Sequence, residues 1–176
     1  TLTMPEIVLP SNAACLRLPG TDGKAKMSKS LGNCIYLSEE PKDIQTKVMS
    51  MYTDPNHLRV SDPGQIEGNT VFLYLDAFSR PEHFAEFLPD YENLDALKDH
   101  YRRGGLGDVK VKKFLNNVLQ AELAPIREKR KYWEARPADV LDILKAGTAV
   151  AEEAAASTLH DVRRAMQIDY FESLLK

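Results

Sequence analysis

The sequence is poor in the residues that commonly hold metal ions, with two cysteines and four histidines among its 176 residues. Cys15 and Cys34 form no Cys-x-x-Cys pair, and no histidine is followed by a second one four positions later. Structural metal sites usually need such closely spaced ligands. We therefore expect no protein-bound metal, and two isolated cysteines are typical of a protein from a reducing compartment.

Long apolar stretches are also missing. No apolar run approaches the roughly 20 residues that a membrane-spanning helix requires, and the mean hydropathy is −0.37. The first five residues, Thr1 to Pro5, show neither the basic nor the apolar region of a signal peptide. The sequence thus predicts no membrane partner and a cytoplasmic location.

A third absence concerns β-structure, because no useful alternation of apolar and polar residues occurs after residue 37. Apolar residues recur instead at helical spacing, as at Ile44, Val48 and Met51. Asn69 is a residue type that commonly caps a helix, and it precedes another apolar helical stripe. The chain is therefore predicted to be mainly α, with a helical bundle as its body.

The longest helix is expected to begin at Asp108 and to extend to about residue 135. Pro137 should open the next helix, and Gly147 is expected to stop or weaken it because glycine lowers helix propensity. A last, alanine-rich helix is predicted over about residues 148–168. Residues 174–176 are expected to be frayed.

Charge is unevenly distributed along the chain. The whole sequence has a net charge of −3, but residues 98–136 contain eleven Lys and Arg against five Asp and Glu. A basic segment in an otherwise acidic chain is a typical electrostatic footprint for RNA. On charge alone, a solvated helix face explains the segment equally well.

Lysine, glycine and serine are concentrated in residues 20–33, which we call the lysine loop. Lys24, Lys26 and Lys29 lie within six positions of one another, between glycines that disfavour a regular helix or strand. Ammonium groups, serine hydroxyls and backbone N–H groups are the donors that an oligophosphate requires. A solvated surface turn is the alternative for such a composition.

Within this loop, Lys26-Met27-Ser28-Lys29-Ser30 resembles the second signature motif of class I aminoacyl-tRNA synthetases. The similarity continues through several flanking segments and resembles bacterial tryptophanyl-tRNA synthetases over nearly the whole chain. The segments are Asn33 to Ser38, Lys47 to Pro55, Asp62-Pro63-Gly64, Glu67 to Phe72, Tyr74 to Phe78, and Gly107 to Lys110.

The resemblance implies that the loop binds ATP and stabilises the pyrophosphate that leaves during amino-acid activation. Lys26 and Lys29 would be the catalytic ligands of the pyrophosphate. The implied ATP-binding residues are Lys26, Met27, Ser28, Lys29 and Ser30. Magnesium is implied only as part of the ATP substrate complex, and the role of Lys24, outside the motif, stays open.

The resemblance also implies a domain organisation. Residues 1–37 would end a Rossmann-like catalytic domain of α/β type, and residues 38–176 would form a helical domain that binds the tRNA anticodon. The last helix is expected to return to the catalytic domain. The first signature of such enzymes, His-Ile-Gly-His, does not occur in the sequence. We therefore expect a C-terminal fragment that is inactive alone.

The expected partners are the tRNA for tryptophan, ATP and tryptophan, with a homodimer for the full-length protein and no DNA. Most RNA contacts would reach phosphate, and few would read bases. The candidate tRNA-binding residues are Arg102, Arg103, Asp108, Lys110, Lys112, Lys113, Arg127, Arg130 and Lys131. A tyrosyl-tRNA synthetase and a non-catalytic helical tRNA-binding module are the alternative readings.

Overall fold

The computed structural model describes residues 2–170, and the predicted fraying at residues 174–176 lies outside this range. Across the described residues the chain forms six α-helices and a short 3-10 turn, Ala13–Cys15. The mainly α prediction is confirmed. The helices are α1 (Pro41–Met49), α2 (Thr70–Phe78), α3 (Pro81–Phe87), α4 (Leu94–Arg103), α5 (Asp108–Glu134) and α6 (Pro137–Ala165).

The chain divides into two compact units. One unit comprises residues 9–130, and the other comprises residues 2–8 together with 131–170 among the described residues. The first unit contains the lysine loop and all of α1 to α4, so the loop and these helices share one hydrophobic core. The largest fully buried side chains of that core are Ile44, Val48, Met51, Val71, Phe72, Tyr74, Leu75, Leu97, Tyr101, Val111, Phe114 and Leu115.

Helix α2 occupies a central place in the first unit, where it packs against α4 and against the 3-10 turn. Its start is fixed as the sequence predicts, because the Asn69 side chain accepts a hydrogen bond from the backbone N–H of Val71. This bond satisfies one of the N–H groups that a helix N-terminus leaves without a partner. The predicted cap at Asn69 is confirmed.

A buried polar cluster joins α2, α4 and α5 around the hydroxyl of Tyr101. This hydroxyl donates to Asp108 Oδ1 over 2.7 Å and accepts a hydrogen bond from Asn69 Nδ2 over 3.3 Å. The ring of His57 packs edge-on against the Tyr101 ring, with 4.7 Å between the ring centroids. Thr53 donates to the other oxygen of Asp108. The cluster therefore ties the start of α5 to the preceding helices.

Two buried tyrosines make the folded state sensitive to alkaline pH. Burial raises the pKa of Tyr74 to about 12. Burial raises the pKa of Tyr101. The hydrogen bond that its hydroxyl donates to Asp108, and the negative charge of that carboxylate, raise it further. Both side chains must stay neutral in the folded protein, so their contribution is complete below the ordinary pKa of 10.0 and is lost as pH rises above it.

We expect the free energy of unfolding to fall by about 1.4 kcal/mol per pH unit per tyrosine from about pH 10 upward. Urea denaturation at several pH values from 8 to 11.5 would measure this slope. In the Tyr74→Phe variant, which cannot ionise at this position, the slope should become shallower. An unchanged slope in that variant would contradict the assignment.

The second unit contains α6, which continues through Gly147 without a break. The prediction of two helices separated at this glycine is wrong. Glycine costs only about 1 kcal/mol relative to alanine in a helix, and the good helix formers around it offset that cost. No side chain of α6 is buried, and its exposed apolar residues include Leu141, Leu144 and Val150.

Candidate functional site

The lysine loop folds as two antiparallel arms joined by a tight turn. Pro19 and Lys26 form an isolated antiparallel bridge, and the N–H of Gly20 donates to the carbonyl of Ala25 over 2.9 Å. The turn closes through Gly23, whose φ of +68° favours glycine. A second turn, in which the N–H of Gly32 donates to the carbonyl of Lys29, ends the loop.

Asn33 holds the two arms together from the inside of the loop. Its side chain is buried, and its Oδ1 accepts a hydrogen bond from the N–H of Ser28 over 2.8 Å. Its Nδ2 donates to Asp22 Oδ1 over 3.2 Å, and its backbone carbonyl accepts from the N–H of Thr21. One amide therefore fixes both the turn at residue 22 and the segment that follows Met27.

The carboxylate of Asp22 is stabilised in its charged form by this arrangement. Partial desolvation opposes the charge, but hydrogen bonds from Asn33 and from the backbone of Lys24 and Ala25 outweigh it and lower the pKa of Asp22. The Asp22–Asn33 contact is consequently complete at neutral pH. It weakens only in acid, as Asp22 becomes protonated below its ordinary pKa of 3.8.

Replacing Asn33 by alanine is expected to open the loop locally. The change removes the acceptor for Ser28 and the donor to Asp22, and each such bond is worth about 1 kcal/mol. Trypsin cleaves after lysine, so cleavage after Lys24, Lys26 and Lys29 should become about tenfold faster. The exposed Asn117 offers a matched control, since Asn117→Ala should leave these rates unchanged; equal rates in both variants would contradict the role of Asn33.

The two lysines of the predicted catalytic pair are exposed and line different cavities. Lys26 lines a cavity of about 280 Å³ with Arg17 and Lys24. Lys29 and Ser28 line a larger cavity of about 550 Å³, which also contains Arg130. The motif therefore presents one lysine on each side of the loop.

The remaining motif residues support this placement. Met27 is half-buried and packs against the hydrophobic core. The hydroxyls of Ser28 and Ser30 lie 2.8 Å apart and share a hydrogen bond. An anchored methionine between two exposed lysines keeps the ammonium groups at the surface, where an anion can reach them.

The segment that follows the loop is tied to α1 by Lys47. Its Nζ donates to the carbonyl of Cys34 over 2.8 Å and forms an ion pair with Glu39. This lysine lies 5.0 Å from the centre of the Tyr36 ring. The ammonium of Lys47 is thus engaged within the protein, whereas Lys26 and Lys29 project from the surface.

The predicted RNA-binding residues near the start of α5 differ in their exposure. Arg102, Arg103, Lys110 and Lys113 are exposed. Arg102 is 3.0 Å from Asp99, and Lys110 is 3.0 Å from Asp90, but both ion pairs lie at the surface where water and salt weaken them. These four side chains are therefore accessible to an anion from solution.

Two predicted residues in the same region are engaged internally. Asp108 accepts the hydrogen bond from Tyr101, and Lys112 donates to the backbone carbonyl of Met49 over 3.0 Å. Burial lowers the pKa of Lys112, although the nearby charge of Asp108 opposes this effect. Both residues thus join elements of the fold, and an RNA role for them remains a sequence prediction.

The other predicted RNA-binding residues lie far along α5. Arg127 is half-buried and donates to Gln120, Arg130 lines the larger cavity at the lysine loop, and Lys131 lies in the last turn of the helix. Residues 113 and 130 are separated by 17 positions, or about 26 Å at 1.5 Å per residue. Lys113 and Arg130 are therefore too far apart to contact the same phosphate group.

Among the helices of residues 2–170, none combines the length and the apolar character that crossing a membrane demands. No group of three or more histidine, cysteine, aspartate or glutamate side chains is placed to hold a metal ion in this part of the chain.

The helical fold and the lysine loop together define a class of protein. The family described as tRNA synthetases class I (W and Y), the tryptophan and tyrosine group, matches residues 2–124. The chain belongs to this family. The match contains the whole lysine loop and helices α1 to α4, so the resemblance that the motif predicts is confirmed.

More specific similarity points to the tryptophan members. The chain is 56% identical over 173 residues to the tryptophan–tRNA ligase of Clostridium longisporum, covering 98% of this chain and 48% of the relative. It is 55% identical over 170 residues to the tryptophan–tRNA ligase of Streptococcus mutans, covering 97% of this chain and 48% of the relative. The chain thus spans about half the length of the curated relatives it matches.

A solved structure shows the same fold. The tryptophanyl-tRNA synthetase of Campylobacter jejuni, in complex with ADP and tryptophan, superposes with a TM-score of 0.67 at 26% sequence identity. The superposition covers 86% of this chain and 43% of that one. The fold of the described residues is therefore that of a part of a tryptophanyl-tRNA synthetase.

Proposed function

We propose that this chain is part of a tryptophan–tRNA ligase, which activates tryptophan with ATP and transfers it to its tRNA. The observation that carries the proposal is the 56% identity to a tryptophan–tRNA ligase over 173 residues. In this function the lysine loop of the chain takes part in the activation step, and the surface of its helical part binds the tRNA. The division into a catalytic part, residues 1–37, and an anticodon-binding part, residues 38–176, belongs to the same proposal.

The activation step develops negative charge beside the lysine loop. A carboxylate oxygen of tryptophan attacks the α-phosphorus of ATP, the bond to the bridging oxygen breaks, and pyrophosphate leaves with the electron pair. Lys26 and Lys29 would stabilise the oxygens that gain this charge. Fixed positive groups aimed at developing charge lower the barrier more than they stabilise the ground state. Magnesium enters bound to ATP as part of the substrate.

The structure suggests how the loop holds its lysines ready for this step. The buried Asn33 sets the path of the loop, and Met27 anchors it to the core. Lys26 and Lys29 then lie on opposite sides of that anchor, in two cavities. In the proposed mechanism they contact different oxygens of the departing pyrophosphate, while Ser28 and Ser30 position the phosphate chain through their hydroxyls and N–H groups.

We assign the recognition of the anticodon to the exposed basic residues where α4 ends and α5 begins. Arg102, Arg103, Lys110 and Lys113 all project into solvent there. Anticodon bases are unpaired in their loop, so protein side chains can reach their edges. Phosphate contacts from these four residues would provide affinity, and a smaller number of contacts to base edges would provide the preference for tryptophan tRNA.

The proposal places the protein in the cytoplasm, where tRNA is charged, and makes the full-length ligase a homodimer. Both statements depend on the proposal that the chain is part of a tryptophan–tRNA ligase. Tryptophan, ATP and the tRNA for tryptophan are the proposed partners. The tryptophan pocket would lie in the part of the relatives that this chain does not span.

A chimera tests the proposed function directly. The matching 173 residues of the Clostridium longisporum ligase would be replaced by this chain, giving what we call the chimeric ligase. We expect tryptophan-dependent exchange between ATP and pyrophosphate, and charging of tryptophan tRNA in preference to tyrosine tRNA. Tryptophan binding, measured separately, shows that the chimera has folded. A folded chimera that charges tyrosine tRNA, or that charges neither tRNA, would refute the proposal.

A further inference from the structure

A small cavity beside the lysine loop is surrounded by positive charge. It has a volume of about 280 Å³ and is lined by Arg17, Pro19, Lys24, Ala25, Lys26 and Leu73. Three of these side chains are cationic and none is acidic. Only Lys26 belongs to the five-residue motif, so the motif does not account for the other two charges.

The pairing of the loop arms explains why these cations meet. Pro19 lies opposite Lys26, and the chain runs in opposite directions on the two arms. The N–H of Gly20 donates to the carbonyl of Ala25, which holds the arms side by side. Arg17 before the first arm and Lys24 and Lys26 on the second therefore line one cavity.

The base of the cavity is fixed by α2. The hydroxyl of Tyr74 donates to the carbonyl of Pro19 over 2.8 Å, and the neighbouring Leu73 lines the cavity. Asp22, the carboxylate of the lysine loop, is engaged with Asn33 and with the backbone of Lys24 and does not line the cavity. The three cationic residues therefore share the cavity with Pro19, Ala25 and Leu73, and no carboxylate lines it.

We propose that Arg17 and Lys24 act with Lys26 as ligands of the polyphosphate chain of ATP. This inference rests on the proposed function and adds two binding residues to it. The cavity is smaller than the roughly 300–1,000 Å³ of pockets that enclose a whole drug-sized ligand. It accordingly takes phosphate groups and leaves the nucleoside outside. Arg17 can present two parallel N–H donors to one phosphate, whereas the two lysines contribute point charges.

The geometry also gives Arg17 and Lys24 a distinct task. Lys29 lines the other cavity, so Lys26 would face the phosphates alone on its own side of the loop. With Arg17 and Lys24 on that side, three cationic side chains instead of one balance the negative charge of the polyphosphate. A phosphate chain bound there is held before chemistry starts, and Arg17 and Lys24 are therefore expected to act on binding.

Titration of this chain with inorganic pyrophosphate and with tripolyphosphate, followed by calorimetry, tests the inference. Four variants are compared with the unchanged chain: Arg17→Gln, Lys24→Gln, Lys26→Gln and Lys42→Gln. Each of the first three should weaken binding by about 5- to 20-fold, because each removes a charged hydrogen bond at an exposed site. The exposed Lys42 lies outside the cavity and serves as the matched control.

The outcomes separate this inference from the function on which it rests. Loss of affinity in Lys26→Gln alone would overturn the roles of Arg17 and Lys24 and would leave Lys26 as a phosphate ligand. Equal affinities in all variants, or no pyrophosphate binding by the unchanged chain, would overturn the inference, while the chimeric ligase would still test the proposed function. If Arg17→Gln and Lys24→Gln weaken binding of a tRNA and leave pyrophosphate binding unchanged, the cavity binds RNA and the inference is wrong.

Discussion

Replacing Lys26 and Lys29 together by glutamine is expected to slow pyrophosphate exchange by the chimeric ligase at least about 10³-fold. Removal of one preorganised group that stabilises developing charge commonly costs about 10² to 10³ in rate. Glutamine keeps a polar side chain of similar reach but carries no charge. Both lysines are exposed, so their replacement should leave the fold intact. Steady-state exchange with saturating tryptophan and ATP would measure the loss.

The kinetic parameter that changes distinguishes catalysis from simple binding. A group that acts mainly in the transition state lowers kcat when it is removed, whereas loss of uniform binding raises KM with kcat unchanged. We expect the double variant to show a reduced kcat and unchanged tryptophan affinity. Lys42→Gln should behave like the unchanged chimera. A double variant that retained its kcat would contradict the role of the lysine loop in activation.

Replacing Gly64 by alanine is expected to lower the free energy of unfolding by about 3 kcal/mol or more. A Cβ atom at this position would lie 2.1 Å from Cε1 of Tyr101. The ring cannot move away easily, because it is fully buried and its hydroxyl bonds to Asp108 and Asn69. The N–H of Gly64 also donates to the carbonyl of Tyr101 over 2.9 Å, which holds the two segments close. Urea denaturation followed by tyrosine fluorescence would measure the change.

Gly147 offers a control with the opposite sign. It lies within α6, and a Cβ atom there would meet no heavy atom within 4 Å. Gly147→Ala should therefore stabilise α6 by about 0.5–1 kcal/mol, seen as a higher helical signal on heating. If Gly64→Ala and Gly147→Ala had similar effects on stability, close packing against Tyr101 would not be the reason that position 64 requires glycine.

Local signals were sufficient to predict much of the fold. Asn69 marks the start of α2 because its short side chain can accept from the helix N-terminus, and the helical spacing of Ile44 and Val48 marks the buried face of α1. Gly147 misled the prediction, since a single glycine is a weak signal inside a long run of good helix formers. Whether such a glycine ends a helix depends on the balance along the entire segment.

The candidate site could be predicted where its functional residues are consecutive in the sequence. The motif at residues 26–30 identifies the lysines, but Asn33 and Arg17 carry no comparable signal. Asn33 joins the two arms only once the loop has folded around it, and Arg17 lines the same cavity as Lys26 only because the arms pair. The basic segment is a different case, because residues that are near in sequence along α5 can lie far apart along the helix axis.

The most direct test of the central claim is binding of this chain to an anticodon stem-loop across a series of salt concentrations. The stem-loop with the tryptophan anticodon would be compared with one that differs by a single anticodon base. Phosphate contacts weaken steeply as salt increases, whereas base contacts preserve the difference between two RNAs of equal charge. We predict tighter binding to the tryptophan anticodon at every salt concentration. Equal affinities for the two RNAs, decreasing in parallel as salt increases, would contradict this prediction. The helical part would then contact phosphates without reading the anticodon.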